Sequence, residues 1–411
     1  MVSTETPVGA VSAVERPTSS ASGRIQSVDA LRGAIMILMA LDHTRDFFHS
    51  AAMSFSPTDL SRTTAIIFLT RWITHFCAPV FAFTAGIGAF FWARRRTRGQ
   101  LSRFLVTRGL WLMLLEVTVV RFLFSLDVTF RGKSIILTVF WMLGLSMVVL
   151  AALVHLERRA LLGVTIAIIA AHNLLDPVPA TSFGSAAWLW NILHRPGVIS
   201  LGSTNVLVAY PLVPWFLVMS AGYCLGQVLI KEPARRQGFL LRMGLALTAA
   251  FVLVRALNVY GDPAPWSTQH SALFTVLSFL NSTKYPPSLE FLLMTLGPAL
   301  VAMAWLDRVR LSAANPVVVF GRVPFFFFLV HLALIHGFLI VLNLFRYGRA
   351  SFLLLPGPSL GGPRAAFPPD YGFNLGVVYA VWIAVIIVIY PLCRWYAGVK
   401  GRRTDWWLSY L

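Results

Sequence analysis

Arg32 and His43 have side chains and a spacing that could do chemistry together. They lie eleven positions apart in the stretch SVDALRGAIMILMALDHTRDFFH, residues 27–49. At about 100° per residue, eleven steps close to three whole turns. On one helix both side chains would point the same way, about 16 Å apart along the axis. A fixed cation at one depth and a titratable imidazole half a bilayer further on suit an elongated anionic ligand. Its phosphates would lie by Arg32 and its reactive end by His43. Asp29 falls near the same face and can pair with Arg32 at i,i+3. The same spacing also describes a packing arrangement in which Asp29 neutralises Arg32 and a neighbouring carboxylate neutralises His43, because ion pairs in membrane helices are also structural.

Other polar groups gather near the His43 end. Asp42, Arg45, Asp46 and His49 follow the apolar run. Arg71 and His75 are i,i+4 neighbours in RWITHFCAPVFAFTAGIGAFF, where Pro79 predicts a kink. Glu116 sits deep in a later apolar segment and needs a partner there, for which His43 or Arg71 would serve. His172 with Asp176, Glu290, His331 and His336 also fall towards that end. Each of these alone reads as a satisfied polar residue. Asp42, His43 and Asp46 could ligate an ion, but the sequence holds no HExxH and no clustered Cys/His, so no metal is expected. It also holds no Gly-x-Ser-x-Gly, Walker or dinucleotide-binding motif, which leaves a nucleotide to be held by basic side chains.

The elements that must position these groups follow from composition. The chain has 411 residues, 57% hydrophobic and only 12% charged. That composition is of an integral membrane protein and excludes a soluble enzyme. The net charge of +18 therefore reads as topology signal and not as nucleic-acid binding. The expected fold is all-α, a polytopic integral membrane helical bundle of about ten transmembrane helices. The apolar segments are 28–48, 65–92, 104–123, 135–153, 161–175, 206–230, 239–254, 288–306, 323–344 and 375–393, with 273–280 a candidate half-helix. The first would be about 31 Å long, roughly one bilayer core. Arg94, Arg95, Arg96, Arg98, Arg103, Arg158, Arg159, Arg235 and Arg236 concentrate in the shorter connections, which places both termini in the cytoplasm. Residues 1–26 read as a disordered cytoplasmic tail without a signal-peptide core, 27–395 as the membrane domain and 396–411 as a basic cytoplasmic tail. Cys77, Cys224 and Cys393 all lie in apolar runs and read as buried thiols. The long outer connections could carry function or cover a site. Trp188, Trp190 and Trp266 there suit either sugar stacking or an interfacial belt.

The stretch 27–49, followed by RWITHFCAPVFAFTAG, resembles the bacterial members of the heparan-alpha-glucosaminide N-acetyltransferase catalytic-domain family, grouped with the acyltransferase-3 proteins. The resemblance is strongest over residues 24–92. NPVVVFGRVPFFFFLVHLALIH, residues 315–336, adds a weaker likeness. In the acyltransferase-3 proteins a basic residue followed after ten positions by histidine marks the first helix, and Arg32 and His43 match it. The resemblance implies that Arg32 lies in the path of an acyl-CoA donor and that His43 is the catalytic residue at the acyl end. In the human-type enzyme the active-site histidine lies further on, which makes His49 the alternative.

The expected activity is then transfer of an acetyl or other acyl group from cytoplasmic acetyl-CoA to a hydroxyl or amine. The acceptor would be a glycan or glycolipid outside the cytoplasmic membrane. His43 would act as general base or carry the acyl group itself. Asp42, Asp46 or Glu116 would orient it, and Arg71 or His75 would stabilise the developing oxyanion. Arg32, Asp29 and Arg71 are the candidate donor-binding residues. The competing classes are a small-anion or lipid transporter, for which no internal repeat is found, and a non-catalytic membrane scaffold. A homodimer is one assembly the sequence leaves open.

Overall fold

The computed structural model describes residues 25–126, 134–355, 357–403, 405 and 408. The expected N-terminal tail through residue 24, Arg131 and Lys133, and most of the last eight residues lie outside these.

The chain is mostly helical. It runs through α1 (Gln26–Phe48), α2 (Ala65–Trp72), α3 (Cys77–Ala93), α4 (Arg98–Leu115) and α5 (Arg121–Ser125) into β1 (Ser134–Leu137). Next come α6 (Val139–Leu153), α7 (Arg158–Ala171), α8 (Ala187–Leu193), β2 (Gly197–Leu201) and β3 (Thr204–Val208). The rest is helical: α9 (Trp215–Leu229), α10 (Pro233–Leu257), α11 (Ala272–Leu280), α12 (Leu289–Leu306), α13 (Pro316–Arg322), α14 (Pro324–Tyr347) and α15 (Leu375–Arg402).

Among the described residues six helical stretches are long and apolar enough to cross a membrane: Ala65–Ala93, Arg158–Leu175, Pro233–Leu257, Leu289–Leu306, Pro324–Tyr347 and Leu375–Arg402. The four other expected segments correspond to α1 and α4, which carry more charge, and to α6 and α9, which are apolar but 15 residues each. Large apolar side chains such as Leu110, Ile166, Leu253 and Ile387 are exposed, as on a surface that meets lipid. The protein is a helical membrane protein.

α1 runs through the middle of the bundle and packs against α3, α12, α13, α14 and α15. Its closest approach is to α13. A Cβ on Gly33 would collide with the Val317 carbonyl, and one on Gly321 with the Asp29 carbonyl. Gly86 of α3 and Gly222 of α9 make the same kind of contact, the small-residue packing that lets membrane helices touch backbone to backbone.

The structure departs from the expectations in four places. A three-stranded sheet of order β1-β3-β2, β1 parallel and β2 antiparallel to β3, is added to the expected helical bundle. β1 and β3 take the beginnings of the expected segments 135–153 and 206–230, because a short β-branched apolar run reads alike as strand or helix end. The expected kink falls at the 3₁₀ turn Ile73–Phe76, ahead of Pro79. Proline has no N–H for the carbonyl four residues back, which belongs to His75, and its ring crowds that turn. Segment 104–123 is interrupted by a π-helical turn at Glu116–Val120. The last helix runs on to Arg402, past the expected end of the apolar segment at 393. The candidate half-helix is α11, nine residues long.

Candidate active site

The last two turns of α1 carry Asp42, His43, Arg45 and Asp46. Positions 42, 45 and 46 share one face, so the two carboxylates and Arg45 meet. Arg45 Nη2 lies 2.9 Å from Asp42 Oδ1 and also pairs with Asp46. Asp42 accepts further bonds from Arg71 Nη1, at 2.8 and 2.7 Å, and from the Thr74 hydroxyl, at 2.8 Å. The break ahead of Pro79 turns Thr74 and His75 towards α1. Such a network is worth having only when each charge is paired, as here.

His43 leaves this network on the neighbouring face and meets α14. Its Nδ1 is 2.8 Å from Nε2 of the fully buried His331. His331 Nδ1 is 3.0 Å from the Phe327 carbonyl one turn earlier. A carbonyl only accepts, so His331 Nδ1 carries the proton and donates it. In the neutral imidazole its Nε2 is then an acceptor, and His43 Nδ1 must be the donor. The neutral His43 therefore keeps the lone pair on Nε2. The two rings stack, 5.0 Å apart and 18° from parallel, while Phe124 and Phe328 stand edge-on to His43 at 5.5 and 5.9 Å. The ring is held on three sides, with one basic nitrogen left over.

That nitrogen belongs to a residue lining a cavity of about 970 Å³. Asp42, Asp46, Arg71 and His75 line it too, and its rim is built by three loops through Ser56, Thr283 and Ser359. Ser359 donates to the Asp46 carbonyl at 2.6 Å, and the Phe373 amide to the Phe48 carbonyl at 2.6 Å. The 351–374 connection thus folds over this end of α1. Lys284 and Tyr285 also line the cavity. Burial pushes the Tyr285 phenol up, but the charges of Lys284 and Arg71 outweigh it and hold the group below the usual tyrosine value.

A second cavity of about 320 Å³ lies on the Arg32 side. Arg32 and Arg108 line it with Trp92, Phe104, Met36 and Met39, and it shares Val139 and Phe328 with the larger cavity. Trp92 and Phe104 stack at 4.2 Å, with Arg96 and Arg108 over their outer faces. Arg32 lies 3.7 Å from Asp29 and donates to the Gly321 carbonyl at 3.2 Å.

The structure thus brings Asp42, His43, Asp46, Arg71 and His75 to one cavity and places Arg32, braced by Asp29, at the other. Two candidates lie elsewhere. The Glu116 carboxylate accepts from the Thr138 hydroxyl at 2.6 Å and from the amides of Thr138, Phe140 and Trp141. It satisfies the first turn of α6, where the helix leaves β1 without its own cap, and its hydrogen bonds reach neither His43 nor Arg71. His49 is buried beyond the end of α1, beside Phe373, and lines neither cavity. His172 bonds the Ile169 and Pro287 carbonyls and His194 bonds Asp176, tying down an outer connection. The cysteines are free and buried, as expected. Sequence reasoning noticed His331 only as an embedded polar residue and took Lys284 for a topology charge. For His331 the available signal was a histidine within an otherwise apolar run, which must find a partner on another helix.

Fold and site define a helical membrane protein whose first helix lends His43 to one cavity and Arg32 to another. Residues 24–263 match the family model described as heparan-alpha-glucosaminide N-acetyltransferase, catalytic. That is more than half of the chain, and the chain belongs to this family of membrane acetyltransferases. No curated protein matches it significantly.

Proposed function

We propose that the protein transfers an acetyl group from acetyl-CoA, entering from the cytoplasm at the Arg32 cavity, to an acceptor in the His43 cavity. The observation that carries this reading is that the two cavities share Val139 and Phe328 in their walls, and that Phe328 stands edge-on to His43. The smaller cavity, of about 320 Å³, would take the pantetheine arm. Arg32 and Arg108 would take phosphates at its mouth. The larger polar cavity would receive a hydroxyl or amine of a glycan or glycolipid from the outer side of the cytoplasmic membrane. Ten crossings with both termini inside complete this topology, as the basic residues indicate.

In the transfer, the acceptor oxygen or nitrogen attacks the thioester carbonyl while His43 Nε2 takes its proton. The tetrahedral intermediate collapses, the carbon–sulfur bond breaks, and the proton passes to the departing CoA thiolate. Arg71 and His75 are the groups nearest to hand for the oxyanion, and Asp42 keeps Arg71 in place. His331 holds the His43 ring and its tautomer through both steps. An acyl-His43 intermediate would use the same nitrogen as nucleophile.

The test is a binding and turnover pair on the purified full-length protein. A donor that binds only the folded state, at a hundred times its Kd, should add about 2.7 kcal/mol of stability. We expect a saturable stabilisation by acetyl-CoA, weakened in Arg32→Ala and kept in His43→Gln. Turnover in His43→Gln should fall about 10²- to 10⁴-fold. No stabilisation up to millimolar donor, in protein that is folded, would overturn the reading and favour a transporter or scaffold.

A further inference from the structure

The larger cavity contains a cation that the proposed transfer does not use. Lys284 lies in the connection between α11 and α12 and is 7% exposed. Among the described residues its ammonium takes part in no ion pair and no hydrogen bond. Its contacts are ring faces, Tyr285 at 5.2 Å and Tyr210 at 5.9 Å from Nζ. Those two rings stand perpendicular at 5.2 Å, with their hydroxyls 3.3 Å apart. Both tyrosines and Lys284 line the cavity that His43 lines.

An ammonium that faces a cavity with no carboxylate paired to it is a charge left to be matched, and ring faces offset only part of its desolvation cost. The other charges of the cavity cannot help. Asp42 is committed to Arg71 and Arg45, and Asp46 to Arg45. Lys284 is left as the unmatched charge, close enough for its field to reach Asp42 and His43. Nor is its position accidental. Asp262 accepts from the Thr283 amide and hydroxyl, at 2.7 Å each, and from the Ser288 hydroxyl at 2.6 Å. The fully buried Arg255 binds Glu290 at 2.7 Å and the carbonyls of Ser278, Phe279 and Asn281. The backbone on both sides of Lys284 is therefore fixed before any ligand arrives.

We propose that Lys284, with Tyr210 and Tyr285, is an anion subsite of the acceptor cavity. It takes a phosphate, sulfate or carboxylate carried by the acceptor, while the acceptor's nucleophile faces His43. The ammonium and the two phenol hydroxyls all donate to such a group, and its charge balances the cavity. This deepens the acetyltransferase reading and rests on it for the word acceptor, but the site itself can be tested without turnover. A sugar acid and a lipid-linked phosphate present the same chemistry, and the test separates them.

Binding is measured on the full-length protein in uncharged detergent at constant ionic strength. The probes are glucosamine 6-phosphate and glucosamine 6-sulfate against glucosamine, and farnesyl phosphate against farnesol. Removing one charged hydrogen-bond partner should weaken an anionic probe about ten- to a hundred-fold. We expect at least one anionic probe to bind tenfold more tightly than its neutral counterpart, and Lys284→Met to abolish that preference. Lys284→Arg should restore part of it. Which pair responds identifies the sugar or the lipid-linked phosphate as the source. Lys284→Gln serves where Lys284→Met does not fold, folding being judged by melting and by acetyl-CoA stabilisation. No preference in the wild type, or a preference that survives loss of Lys284, would overturn the proposal. Preference for the anion without any acetyl-CoA binding would leave the subsite standing and remove the acetyltransferase reading.

Discussion

His43 differs from His172 and His331 in what its second ring nitrogen meets. Both nitrogens of His172 and of His331 are engaged by neighbouring groups. His43 has one nitrogen bonded, and the residue lines the larger cavity. Because His331 fixes both the ring and the tautomer, its removal should act on catalysis through His43 and not on donor binding. We expect His331→Phe, which keeps the ring volume but not the acceptor nitrogen, to lower kcat about a hundredfold. KM for acetyl-CoA and donor-induced stabilisation should stay close to wild type, and His331→Gln, which can accept the same hydrogen bond, should recover part of kcat. Equal losses in kcat and in donor binding would mean that His331 only holds the helices together. This partnership was not legible in the sequence, because His43 and His331 lie on helices 288 residues apart in the chain. The Arg32–His43 spacing was legible, since both sit on one helix and the helical repeat alone sets their relation.

Helix elements carry the site by close contact, and α1 against α13 is the contact that matters most. Gly321 meets the Asp29 backbone, and its carbonyl accepts from Arg32, so one peptide both seats α1 and braces the donor-side arginine. A methyl group there has no space, because its obstacle is backbone and not a flexible side chain. We expect Gly321→Ala to destabilise the protein by about 1 to 3 kcal/mol, seen as a lower melting temperature in detergent. It should also weaken acetyl-CoA binding, whereas Gly88→Ala, where a Cβ meets nothing, should leave stability unchanged. An unchanged melting temperature for Gly321→Ala would show that α13 can slide to make room. At this scale most of the expected helices recur with edges shifted by a few residues, since long apolar runs admit little else. The sheet was not legible: SIIL before α6 and NVLV before α9 adjoin apolar helices, and periodicity cannot tell where strand gives way to helix. Glu116 was misplaced for the same reason. Read as lying mid-helix, it needed a charged partner, whereas the α6 N-terminus it satisfies exists only once β1 has ended that run.

For the whole molecule, the proposed transfer would have the two cavities face opposite sides of the membrane. The ends of α1 set the geometry: Arg32 lies towards the end shared with Trp92, Phe104 and Arg108, and His43 towards the end covered by the 351–374 connection and the β1-β3-β2 sheet. Arg94, Arg95 and Arg96 cluster at the first end, which the positive-inside rule assigns to the cytoplasm. The cysteines allow a direct test, because Cys77, Cys224 and Cys393 are all buried and should give little background with a membrane-impermeant maleimide. Single cysteines can then replace exposed residues at the two ends: Arg96 and Arg402 at the basic end, and Ser203, between β2 and β3, at the other. In intact cells we expect Ser203→Cys to be labelled and Arg96→Cys and Arg402→Cys to be protected until the membrane is opened. If Arg96→Cys is labelled from outside while Ser203→Cys is protected, the bundle is inverted and the donor cannot be cytoplasmic acetyl-CoA. If Arg96→Cys and Arg402→Cys fall on different sides, α15 enters from the wrong face and the count of ten crossings is wrong. Only protection of both, with Ser203→Cys reactive, lets a cytoplasmic thioester and an outer acceptor meet at one histidine.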